Sequence, residues 1–324
     1  MALPSIKFII LPLLPLAFLP LSGTAQKPGK PFENSRFDTI DGFSVHYRVW
    51  NEDVANPPGS ILFVHGFAGS TICFRHLYDT LEALGYRVVA VDIPGAGYSS
   101  RSLDFNQSNS HRASFLWELL DRIDRDDRDS RNDRNDRHDN KWILVGHSMG
   151  GGAAEAMAIL EPERTEKLIL IAGTIFRKTN NLNHLATFML RQKKVKKLLV
   201  DYANRNLITY KRFERLLKSA YRRKPDSTEV MEYLRPLEIK GSAEALINVY
   251  VNNREEEDLD IRTLKEVPVY AIWGTRDSWV PLRSARIYLA SFPILALVKI
   301  KGAGHMPMET HIRQFIPPFL EFVD

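Results

Sequence analysis

The sequence predicts an α/β fold, a doubly wound and mostly parallel sheet with an inserted helical lid. Three observations predict it. Six short apolar runs rich in β-branched residues recur along the chain, helix-length stretches lie between them, and an antiparallel hairpin precedes them all. Runs that stay apolar without alternating belong to strands covered on both faces, as in parallel sheets. Strand and helix in alternation is the pattern of the α/β class. A chain of 324 residues, 44% hydrophobic and 26% charged, can bury such a core. No repeat of 20–50 residues is visible, which argues against a solenoid or propeller.

Residues 1–25 read as an export signal peptide. Lys7 supplies a positive start, residues 8–21 are apolar and uncharged, and Gly23-Thr24-Ala25 offers small residues before a mature start at Gln26. Prolines at 12, 15 and 20 disfavour a spanning helix. The expectation is a periplasmic or secreted protein, the alternative one held by an uncleaved membrane anchor. Residues 26–36, with proline and glycine, form a linker. Cys73 is the sole cysteine, so neither an internal disulfide nor a cysteine metal cluster can form. Between Ile72 and Phe74 it reads as a small buried apolar residue.

The first part of the core spans 37–176. Runs 37–40 and 45–50 flank Asp41-Gly42, a strong hairpin turn. Strands follow at 61–64, 88–91, 142–145 and 168–172, with helices at 74–84 and 151–160. Residues 121–140 break the rhythm with eight Asp and six Arg at a spacing of three. That period does not match 3.6, so the stretch reads as a solvated loop or frayed helix end. The lid spans 177–258, with helical patterns at 185–202 and 210–221. Its first half, 177–224, holds fifteen Lys or Arg against Asp201 and Glu214; its second half, 225–258, holds nine acids against three bases. The second part of the core, 259–324, supplies the runs 269–273 and 295–300.

Chemistry concentrates after the apolar runs. Gly146-His147-Ser148-Met149-Gly150 follows a strand and opens a small-residue helix, the context that a nucleophile elbow needs. A serine hydroxyl requires a base. His184 falls in the lid and His311 in a helical stretch, whereas His305 sits in Gly302-Ala303-Gly304-His305, a flexible loop after the last strand. Asp277, in the loop after 269–273, is the carboxylate that would fix the imidazole. Two N–H donors would hold an oxyanion: Met149 after the serine, and Phe67 in His65-Gly66-Phe67. His65 and His147 read as structural neighbours that order their turns, with Gly66, Gly146 and Gly150 shaping the motif.

Together, His65 to Phe67, Asp92 to Ser99, Gly146 to Gly151, Gly274 to Asp277 and Gly304-His305 resemble the lid-bearing serine esterase, lipase and peptidase branch of the α/β-hydrolases. The resemblance implies acyl transfer through an acyl-serine, with Ser148, Asp277 and His305 as triad and no metal or organic cofactor. It implies a small ester or lipid-like substrate. An aminopeptidase, which would present acids such as Glu232 or Glu238 to an amine, and a carbon–carbon bond hydrolase use the same triad. A binding protein on this scaffold is the reading from another class. Asp92, Gly95 and Gly97 shape a turn. A net charge of +5 points to no nucleic-acid partner. Lys193, Lys194, Lys196 and Lys197, interleaved with leucines, suit either a solvated helix or one on an anionic membrane surface.

Overall fold

The computed structural model describes residues 30–54, 56–131, 141–173, 192–251, 259–283 and 294–324. The expected export segment, His184, and residues 132–140 of the Asp/Arg stretch lie outside them. Eight strands form one sheet in the order β1-β2-β4-β3-β5-β6-β7-β8. β1 (Ser35–Ile40) and β2 (Phe43–Trp50) are the antiparallel hairpin, and Asp41 and Gly42 between them both take positive φ, at 50° and 81°. β2 also pairs antiparallel with β4 (Arg87–Asp92). β3 (Ser60–Val64), β5 (Trp142–His147), β6 (Thr165–Ile171), β7 (Val269–Gly274) and β8 (Ile294–Ile300) continue the sheet in parallel.

Both faces are covered, which is why the strands show no polar alternation. Leu62, Val64, Val89 and Leu144 pack against α2 (Asn109–Arg131) and α3 (Met149–Leu160). Their neighbours Ile61, Phe63, Val88 and Ile143 face the opposite layer, which includes α1 (Arg75–Ala83). Between β6 and β7 the described chain holds α4 (Lys193–Asn206), α5 (Tyr210–Tyr221), α6 (Ser227–Leu237) and α7 (Ser242–Val251). After β8 come α8 (Pro307–Thr310) and α9 (Ile312–Val323).

Two elements differ from expectation, and one alternative is selected. Ser35, expected in the linker, is a fully buried residue of β1. A 3-10 turn, Thr71–Phe74, precedes α1, capped by the Ser70 hydroxyl. Of the loop and the helix extension expected for the Asp/Arg stretch, its described part is the extension: α2 continues to Arg131. Leu116, Leu119, Leu120 and Ile123 are buried at helical spacing and carry the helix onward, and Asp124 closes a buried ion pair with Arg87.

Candidate active site

The chain order of the sheet changes direction at β3, which has β4 on one side and β5 on the other. Crevices at the carboxyl ends of strands beside such a reversal are where α/β sheets bind ligands. The loop after β3 carries His65 to Phe67, and Ser148 follows β5 directly. Asp277 follows β7 and His305 follows β8.

Ser148 has φ 50° and ψ −124°, a left-handed conformation that costs a non-glycine residue about 1–3 kcal/mol. Backbone bonds hold it there: its N–H donates to Ile171 O at 3.1 Å, and its carbonyl accepts from Gly151 N–H at 2.9 Å. The elbow is tight enough to exclude side chains. A Cβ on Gly146 would lie 2.5 Å from Gly150 O, and one on Gly150 would lie 2.3 Å from Val64 O. One on Gly66 would lie 2.9 Å from the Ser148 Cβ, so the β3 loop passes directly beside the hydroxyl. Met149 opens α3, where the first N–H groups have no partner inside the helix and favour an anion. Phe67, in the adjoining loop, is 37% exposed.

Ser148 Oγ lies 2.9 Å from His305 Nε2, and His305 Nδ1 lies 2.8 Å from Asp277 Oδ2. With a carboxylate on Nδ1, that nitrogen carries the proton, and Nε2 is left to accept from the serine hydroxyl. The other oxygen of Asp277 accepts the N–H groups of Trp279 at 2.8 Å and Val280 at 3.0 Å. Ser148, Asp277 and His305 are thus brought together from three strand ends, as expected. The His305 backbone is clamped as well. Its N–H donates to Ala220 O of α5 at 2.7 Å, and its carbonyl accepts from His147 Nε2 at 3.1 Å.

His147 was expected to order its own turn, and it instead reaches the histidine loop. Burial, reinforced by the neighbouring His305, holds its pKa well below the ordinary imidazole value, so it is neutral. His65 is also kept neutral by burial. Its Nδ1–H donates to Gly66 O at 2.7 Å and its Nε2 accepts Ile93 N–H at 3.1 Å, so it orders its own turn. Cys73 is buried, and desolvation pushes its thiol up to about 12, which makes it inert. His311 lies between α8 and α9, with its ring near Gly302 and its Nδ1 2.9 Å from Thr310 Oγ1.

Three features escaped sequence reasoning. Trp279 stacks on His305 with ring centroids 5.2 Å apart and bonds Ser219 of α5 through Nε1; its place two residues after Asp277 was the available signal. Glu309 of α8 is buried and takes hydrogen bonds from Arg75 of α1, Tyr221 of α5 and Tyr233 of α6, fastening the inserted helices to the helix that follows the histidine loop. On the other side of the insertion, Arg101 donates to Pro236 O and Ser242 Oγ at 2.8 and 2.9 Å. The third is a second Ser–His–Asp chain. Ser35 Oγ lies 2.8 Å from His46 Nε2, and His46 Nδ1 lies 2.7 Å from Asp92 Oδ2, all fully buried. Asp92 also accepts Tyr98 N–H at 2.8 Å, which is how it shapes the turn after β4.

The fold and this constellation define a class. The alpha/beta hydrolase fold family model matches residues 59–312, and the chain belongs to that family as a hydrolase. Its relatives include an uncharacterised hydrolase of Bacillus subtilis, YugF, 26% identical over 293 residues that cover 86% of this chain and 96% of that protein. A 2-hydroxy-6-oxononadienedioate/2-hydroxy-6-oxononatrienedioate hydrolase of Pseudomonas putida is 24% identical over 298 residues, covering 90% of this chain and 96% of that one. Among solved structures, a bacterial membrane phospholipase A superposes with a TM-score of 0.65 at 18% identity, covering 89% of this chain and 86% of the other.

Proposed function

We propose that this hydrolase is a serine carboxylic ester hydrolase working through an acyl-serine, with Ser148 as nucleophile, His305 as base and Asp277 as the carboxylate that orients it. The observation that carries the reading is the continuous chain Asp277–His305–Ser148 at 2.8 and 2.9 Å. His305 Nε2 takes the hydroxyl proton as Ser148 Oγ attacks the ester carbonyl. The N–H groups of Met149 and Phe67 receive the oxyanion. The protonated imidazole, stabilised by Asp277, gives its proton to the leaving alcohol, and water then repeats the sequence on the acyl-serine. The steps require no metal or organic cofactor. Phe67 and Trp279, both partly exposed, offer apolar surface beside the hydroxyl and the imidazole for a small or lipid-like ester. The inserted helices act as the lid.

Ser148→Ala should lower kcat/KM on short p-nitrophenyl esters by about 10⁴-fold or more, with the fold retained by circular dichroism. Full activity in that variant would rule the reading out. The Pseudomonas relative favours one second reading, hydrolysis of a carbon–carbon bond in a β-diketone-like acid by the same three residues. Turnover of such acids in preference to esters would select it. Residues 1–25 we take as a cleaved export signal; an exported protein whose mass begins at Gln26 would bear this out, and an intact N-terminus would favour the anchor.

A further inference from the structure

The charge of the inserted helices asks for a partner that ester chemistry does not supply. α5 turns Phe213, Leu217, Ala220 and Tyr221 inward and presents Lys211, Arg212, Arg215, Leu216 and Lys218 to solvent. Among the described residues none of these four cations has a carboxylate within 4.0 Å, and Glu214, the one acid of the helix, faces Lys224 at 3.8 Å. Like charges three and four residues apart on a helix repel, as Lys211 and Arg215, or Arg215 and Lys218, must do here. Apolar side chains stand among them. Leu216 is 40% exposed, Leu207 and Tyr210 at the α4–α5 corner 48% and 39%, and Leu198 of α4 70%. On α4, Lys194, Lys197 and Arg205 share the exposed side with Leu198.

A small anion or a polyanion needs the cations but gives no reason to leave leucines in water. A negatively charged bilayer uses both, taking apolar tips below the headgroups and lysine and arginine at their level. The ridge also ends at the site. Ser219 and Ala220 of α5 bond Trp279 and His305, and beyond them a cleft of about 480 Å³ is lined by Arg222, Arg276 and Asp277. We propose that the exposed face of α4 and α5 docks on an anionic lipid surface and so sets the triad at the membrane boundary. This docking stands independently of the ester reading.

The test is sedimentation of the full chain with vesicles of phosphatidylcholine, with and without phosphatidylglycerol, at low and high salt. Comparing the two lipids removes any contribution of an apolar N-terminus. Partitioning should be at least about tenfold stronger on the anionic vesicles, given about 1 kcal/mol per surface cation, and should fall with salt. The triple variant Arg212→Glu, Arg215→Glu, Lys218→Glu should abolish that preference while hydrolysing a soluble ester as the parent does. Leu216→Asn, which leaves the charge unchanged, should weaken vesicle binding but not retention on heparin. Equal binding to both vesicle types would overturn the proposal, as would anionic binding insensitive to Leu216, which would point to a soluble polyanion. Vesicle binding by a parent that turns over no ester would overturn the ester reading alone.

Discussion

Ser148 carries two costs that its neighbours carry for it: a left-handed backbone and a hydroxyl that is a weak nucleophile. The first can be measured apart from the second. Ser148→Ala and Ser148→Gly both remove the bond to His305, but only glycine takes φ 50° without strain. The glycine variant should therefore be more stable than the alanine variant by about 1–2 kcal/mol in urea unfolding, with both inactive. Equal stabilities would show that the elbow is unstrained. The three histidines around the site divide the work by environment. His65 and His147 are forced neutral by burial and serve as fixed donors and acceptors, while only His305 has both a carboxylate and a hydroxyl on its ring nitrogens. Sequence reasoning set His305 apart because it follows the last strand in a glycine-bearing loop, and the structure gives that imidazole the Asp277 and Ser148 contacts. The same reasoning placed the reach of His147 wrongly, because a residue within the elbow can bond a loop 158 positions away only through the fold.

At the scale of elements, the strands were the most legible part, since a strand covered on both faces writes itself as an uninterrupted apolar run. α2 was the least. Its charged continuation has a period of three in composition, yet the buried positions 116, 119, 120 and 123 follow the helical period, and burial decided the structure. Within that continuation Asp124 faces Arg87 at the start of β4, both nearly inaccessible. Asp124→Ala removes a charged hydrogen-bond partner from the buried Arg87, and the expected loss is about 1–3 kcal/mol by thermal or chemical unfolding. A loss under about 1 kcal/mol would mark the pair as solvated. Asp121 and Arg122, which pair with Arg164, Glu118 and Asp38 at partly exposed positions, should matter far less. The insertion was legible as helices and as two oppositely charged halves. Its fastening through Glu309 and Arg101 was not, because those contacts join residues more than 130 apart from one side of the site and about 80 from the other.

Across the molecule, one buried carboxylate ties the hairpin to the parallel sheet beside the β2–β4 backbone ladder. Burial alone would raise Asp92, but the hydrogen bond and charge of His46 outweigh it, and its pKa falls below the ordinary aspartate value. In the unfolded chain this group takes up its proton at about pH 3.9, and in the native protein only at lower pH. Between those points the unfolded state binds more protons, so the stability Asp92 confers is complete above the ordinary value and disappears as pH falls through the depressed one. Asp92→Asn should thus cost about 3 kcal/mol at pH 7, with the gap to the parent closing as the solution is acidified below about pH 4. A gap that stays constant with pH would show that the carboxylate is not ionised in the native state.

The chain joining Ser35, His46 and Asp92 has nearly the interatomic spacings of the one at Ser148, and it lies at the root of the hairpin with no route for water. Its serine oxygen already accepts the Phe32 N–H at 3.0 Å. Relay geometry by itself therefore confers no reactivity. The same three groups act as a rivet where solvent is shut out, and can act as a reagent only where a bent backbone, a helix N-terminus and an open mouth coincide. A phosphonylating probe should therefore label Ser148 and spare Ser35, which peptide mapping of the labelled protein would check, although bond lengths alone would name both.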